Sequence, residues 1–98
     1  MRRYRTRPGV VLTSICGEYL LVSAKAARQD VPYLSQLNES SAFLWKILEK
    51  GADQEELEQA VREEYEITDP AEAGAAIEAF VRQMLSAGYL LPEGEENE

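Results

Sequence analysis

Histidine is absent from this 98-residue chain, and cysteine occurs once, as Cys16. A single cysteine excludes an internal disulfide, and without histidine or a second cysteine the chain lacks the thiolate and imidazole sets that hold structural zinc or an iron–sulfur cluster. The chain has no glycine-rich phosphate loop, no nucleophile paired with a histidine and no metal-ligand spacing. Ser14, Ser23, Ser35, Ser40, Ser41 and Ser86 have no base to activate them. No apolar run approaches the roughly 20 residues of a membrane span. Arg2-Arg3 ahead of Val10-Val11-Leu12 resembles a secretory signal, but the run stops at Thr13-Ser14, too short for a signal core. Ile15 before Cys16 is also poor at a lipoprotein cleavage site. These absences lead to the expectation of a cytoplasmic binding protein, not an enzyme, with no cofactor and no metal.

What is present is an ordinary globular composition, 45% hydrophobic and 29% charged, in a length that suits one domain. Such a chain can build one core but not a core and a deep, well-walled active site. The net charge of −8 is unevenly placed. Residues 1–28 hold Arg2, Arg3, Arg5, Arg7, Lys25 and Arg28 against Glu18 alone, a net +5. Residues 29–98 hold 4 basic and 17 acidic groups, a net −13. The acidic part should repel the phosphates that dominate nucleic-acid affinity, whereas the basic part suits an acidic partner. Residues 1–9 are expected to be a flexible basic arm, residues 10–91 the folded domain, and residues 92–98 a disordered acidic tail.

Val10 to Ile15 and Glu18 to Ser23 are rich in Val, Ile, Leu and Tyr, and Cys16-Gly17 between them predicts a tight hairpin. Ala24 to Pro32 predicts a connection with one helical turn. Tyr33 to Leu37 is the third strand, with Pro32 marking its start or an edge, since proline cannot donate to a ladder. Asn38 is an N-cap, and Phe43, Leu44, Ile47 and Leu48 give the apolar face of a first helix. Gly51 is its left-handed stop. Asp53 with Glu56 forms an acidic capping box for a second helix, whose buried stripe is Leu57, Ala60, Val61 and Tyr65. Asp69-Pro70 starts a third helix, with Ala73, Ala76, Ile77, Phe80, Val81, Met84 and Leu85 apolar and Gly88 ending it. Tyr89-Leu90-Leu91 can pack back as a short extended segment. The fold class is α+β, a three-stranded antiparallel sheet followed by three helices that cover one sheet face.

With no catalytic constellation, function must lie in a surface that binds. A three-stranded sheet has two edges, and an open edge offers unpaired amides and carbonyls to another extended chain. The third strand, lacking any following strand, is expected to be such an edge, with part of the third helix's wide apolar stripe walling a groove beside it. Two other classes remain open at this point. A winged-helix DNA binder needs a basic recognition helix, but Arg62 and Arg82 are the only basic residues in the later two helices. A structural subunit could dock on an enzyme through the same edge.

Leu37-Asn38-Glu39-Ser40-Ser41-Ala42-Phe43-Leu44-Trp45, followed by Leu48 and Gly51, is similar to the core motif of the PqqD-like family. Met84-Leu85-Ser86-Ala87-Gly88-Tyr89-Leu90-Leu91 resembles that family's C-terminal pattern, and Glu18-Tyr19-Leu20-Leu21-Val22 its second strand. The resemblance covers residues 10–91. It implies a small winged-helix-like domain that recognises ribosomally synthesised, post-translationally modified peptides. Such a domain binds the precursor's leader peptide beside the third strand and delivers it to a modifying enzyme, often a radical S-adenosylmethionine (radical SAM) protein. The implied peptide-binding residues are Tyr33, Leu34, Ser35, Gln36 and Leu37 on the strand and Ile77, Phe80, Val81 and Met84 on the third helix. The implied partners are a leader peptide and that enzyme, with no nucleic acid and no membrane.

Overall fold

The expected hairpin is set by its turn. Cys16 and Gly17 both lie in the left-handed region, with φ of +52° and +78°. A two-residue turn with positive φ at both positions matches the twist of the strands it joins. The computed structural model describes residues 2–93. In it, strands β1 (Arg3–Thr6), β2 (Val10–Ile15) and β3 (Glu18–Ser23) are followed by a 3₁₀ turn (Lys25–Gln29) and β4 (Leu34–Leu37). Helix α1 (Glu39–Leu48), β5 (Ala52–Asp53), α2 (Gln54–Glu64), α3 (Pro70–Ala87) and β6 (Leu90–Glu93) complete the chain. β2, β3 and β4 form the expected antiparallel sheet, in that order. The domain is α+β, with this sheet and the three expected helices.

Each helix starts as its sequence dictates. The Asn38 side chain accepts from the Ser41 amide at 2.8 Å, and the Asp53–Glu56 box closes in both directions. Asp69 accepts from the Glu72 amide, with Pro70 next to it at the helix start. Gly88 ends α3 at φ +91°. A Cβ there would come within 2.9 Å of the Asp30 carbonyl oxygen, so glycine is required for space as well as for φ.

The structure departs from expectation at the N-terminus and in α1. Residues 1–9 are not a flexible arm throughout: Arg3–Thr6 is the central strand of a second sheet, ordered β5-β1-β6. The alternation Arg-Tyr-Arg-Thr-Arg is a strand period, and its cations meet the acidic part of the chain. Arg3 pairs with Glu56 at 2.7 Å, Arg5 with Glu93 at 3.3 Å, and Arg7 with Asp30 at 3.3 Å. The folded unit therefore extends at both ends beyond residues 10–91, since β6 runs through Pro92 and Glu93. The rest of the expected tail lies outside the described residues.

Helix α1 is buried on more than its expected face. Trp45 is fully buried, although the predicted apolar face omitted it. The reason is that α1 packs against β1 as well as against β2 and β4, so two sides of the helix are covered rather than one. The Trp45 ring meets Tyr89 edge-on, with centroids 6.2 Å apart, and its Nε1 donates to Glu49 at 3.1 Å. Trp45 shares one core with Leu21, Leu37, Leu44, Leu48, Leu57, Ile77, Val81 and Leu90.

Candidate functional site

β4 owes its position to β3, and one hydrogen bond fixes which of its groups are used. The Ser23 amide donates to the Tyr33 carbonyl at 2.9 Å. Antiparallel ladders alternate between residues bonded to the partner and residues facing away. With Leu21 opposite Ser35 and Tyr19 opposite Leu37, it follows that Tyr33, Ser35 and Leu37 turn their backbone groups to β3. Leu34 and Gln36 turn theirs outward. Among the described residues β4 pairs only with β3, so two amides and two carbonyls stand open along this edge.

The side chains of the five strand residues divide between inside and outside. Leu37 is in the core. Ser35 is half-buried, and its hydroxyl lies 2.6 Å from that of Tyr89. Leu34 and Gln36 point to the outer face, where Gln36 Nε2 donates to Glu18 at 2.9 Å. Tyr33 is more than half exposed at 56%, and the Arg28 guanidinium stacks 3.9 Å from its ring centroid.

The four helix residues do not all share one place. Ile77 and Phe80 line an apolar cleft of about 430 Å³ with Leu44, Ala76 and Tyr65, and Asn38, directly after β4, stands at its rim. Of the pair, Phe80 is half-buried and accessible, whereas Ile77 is part of the core. Val81 is 4% exposed and turns the other way, toward a cleft of about 720 Å³ that it lines with Tyr4, Gln54, Glu58 and Glu78. Neither cleft is lined by a residue of β4 itself, and the lining of the second is more polar. Met84 is buried. The structure therefore places Phe80 and Ile77 on the cleft that reaches Asn38, and Val81 on the other cleft.

Tyr65, on the wall of the apolar cleft, packs edge-on against Phe43 with centroids 5.4 Å apart. Its phenol pKa is raised, first by burial and then by the negative charges of Glu39 and Glu64. Arg28 and Tyr89 were not foreseen at this site. Tyr89 lies 54 residues from Ser35 in sequence, and no local pattern signals such a bond.

The family described as "Coenzyme PQQ synthesis protein D (PqqD)" matches residues 33–90, a span that contains β4, all three helices and the first residue of β6. Two solved structures are similar in fold. One, "Lasso peptide synthetase B1 complexed with the leader peptide", has a TM-score of 0.70 at 24% identity, covering 91% of this chain and 98% of that one. The other, "TbiB1 in Complex with the TbiA(beta) Leader Peptide", has a TM-score of 0.70 at 22% identity, covering 95% and 99%. No curated protein sequence matches the chain.

Proposed function

The chain belongs to the PqqD family, and from that premise we propose that it is a non-catalytic recognition module for the leader segment of a ribosomally synthesised precursor peptide. The observation that carries this reading is the open edge of β4. The outward amides and carbonyls of Leu34 and Gln36 stand ready to pair with an extended chain. Strand addition draws affinity from such groups and specificity from adjoining pockets. The nearest apolar pocket in sequence is the cleft lined by Phe80 and Ile77, which begins at Asn38, the residue after β4. The leader lies along residues 33–37, with alternate side chains directed to that cleft. Two proteins of similar fold were solved with leader peptides bound, which supports the reading.

The bound precursor is presented to a modifying enzyme, and the family resemblance favours a radical SAM protein in that role. Recognition and chemistry are then divided between two chains, in keeping with a domain this small. No helix of the described residues is long and apolar enough to cross a membrane.

The test is titration of fluorescently labelled leader peptides, encoded beside the gene, against the purified protein. Binding tighter than ~100 μM is expected, a threshold already weak on the scale of specific complexes. Weaker binding by every neighbouring precursor would count decisively against the reading. A gel shift at low salt separates this reading from DNA binding, which predicts retarded duplex.

A further inference from the structure

We propose that β2 is a self-association edge, through which two copies of this chain pair antiparallel about a two-fold axis at Leu12. The same ladder alternation that opens β4 also opens β2. Tyr19, Leu21 and Ser23 bond toward β4, so Glu18, Leu20 and Val22 bond toward their β2 partners Ile15, Thr13 and Val11. Leu12 and Ser14 therefore turn their amides and carbonyls away from β3. Among the described residues β2 pairs with β3 alone.

This edge has none of the usual protection. Soluble proteins guard free edges with charge, proline, bulges or short length. Val10–Ile15 is six residues long, with no charged residue and no proline, and its register against β3 is unbroken. The other sheet is guarded: β5 has two residues, and β6 holds Pro92 and Glu93. Val11 and Ile15, 60% and 54% exposed, are large apolar side chains left in water along β2.

The strand fits a second copy of itself. Pairing about Leu12 sets Val10 opposite Ser14 of the second copy and Val11 opposite its Thr13. Ile15 falls opposite Gly9 of the second copy, which has no side chain to obstruct it. Every facing pair is neutral, so no like charges meet, and the acidic groups of residues 29–98 lie on other elements. An oppositely charged partner has nothing on this strand to recognise. Two three-stranded sheets become one sheet of six strands, with a β4 at each end. The dimer thereby leaves both peptide edges free. One strand pair buries less than the roughly 1,200–2,000 Å² of a stable interface, so association is weak and rises with concentration.

Cys16, exposed and the single cysteine of the chain, supplies the test. In the proposed register it lies opposite Pro8 of the second copy, eight residues from that copy's Cys16. At ~3.4 Å per residue the two cysteines are about 27 Å apart. Nitroxide labels on Cys16, read by pulsed dipolar spectroscopy, should give a distance near this value with an amplitude that grows with protein concentration. Ser14→Pro removes an outward amide but no bond to β3, and should abolish the signal. Val11→Lys should do the same from an exposed position if Ser14→Pro fails to fold. A sedimentation series showing only monomer up to ~1 mM, a weak limit for any specific association, would overturn the proposal. So would a dimer that survives both substitutions, or a distance incompatible with the register. Leader binding is unaffected by these variants, so this proposal and the peptide reading fail separately.

Discussion

Replacing Gln36 by proline is the sharpest probe of the β4 edge, because the ladder assigns its amide to the outside. Gln36→Pro deletes one of the two outward donors while leaving the bonds from Tyr33, Ser35 and Leu37 to β3 in place. A net hydrogen bond is worth about 0.5–1.5 kcal/mol, and a buried carbonyl left without a donor costs about 1–3 kcal/mol. Since 1.4 kcal/mol is tenfold in Kd, leader affinity should fall roughly 5- to 100-fold. Gln36→Ala keeps the amide and loses an exposed side-chain contact with Glu18, so it should bind nearly as the parent does. Ser35→Pro is the opposite control. It deletes an inward amide, leaves the Leu21 carbonyl without its donor and removes the hydroxyl that meets Tyr89, so it should cost stability, about 1–3 kcal/mol from the carbonyl alone. Fluorescence anisotropy with a labelled leader reads affinity, and thermal melting reads stability. A folded Gln36→Pro protein with parental affinity would refute the strand-addition geometry, as would equal damage from Gln36→Ala.

Two further expectations follow from the cleft. Phe80→Glu should weaken leader binding tenfold or more with little change in Tm, whereas Val81→Glu buries an unpaired carboxylate at a 4% exposed position and should cost several kcal/mol of stability; melting curves and anisotropy of the two variants separate the roles. Tyr65 has a raised pKa in the folded chain, so above the unfolded phenol value near 10 the folded state binds more protons than the unfolded one, and stability falls as pH rises through the folded value. Absorbance titration of the phenolates should show one tyrosine ionising late, and Tyr65→Phe should flatten the alkaline loss of stability seen by denaturant unfolding.

The parts of the fold legible in sequence are those written by local chemistry. Asn38, the Asp53–Glu56 pair, Asp69-Pro70 and Gly88 each act within a few residues, and each stands where its pattern places it. The hairpin was legible for the same reason, since Cys16-Gly17 closes strands that follow one another directly. β1 and β5 were not, because a strand of four residues or two has little periodicity of its own and exists through partners some 50 to 90 residues away. A cluster of arginines reads as a solvated arm until the acidic residues that meet it are known to be near. The burial of Trp45 is hidden for the same reason, since it requires the second sheet. On α3 the periodicity picked out seven apolar positions, of which Ile77, Val81 and Met84 are buried and Ala76 is exposed, but could not divide them. A stripe that wide faces both clefts, and only the packed fold tells Phe80, on one, from Val81, on the other.

Those unforeseen contacts also explain how so short an edge stays ordered before a peptide arrives. A ligand that must first order its own binding strand loses affinity to that cost, and β4 has four residues with which to resist fraying. Its entry is held where the Ser23 hydroxyl donates to the Pro32 carbonyl at 2.7 Å and Arg28 Nε donates to the Ser23 carbonyl at 3.1 Å. Its middle is held by the Ser35–Tyr89 hydroxyl pair and its end by Leu37 in the core. Tyr89 in turn follows Gly88, whose carbonyl accepts from Arg7 Nε at 2.6 Å, and the Tyr89 carbonyl accepts from the Arg7 amide at 2.8 Å. The residue just past β1 therefore anchors the tyrosine that anchors β4. The basic segment serves the binding edge from behind, through two hydrogen bonds and a ring, without having to touch the peptide.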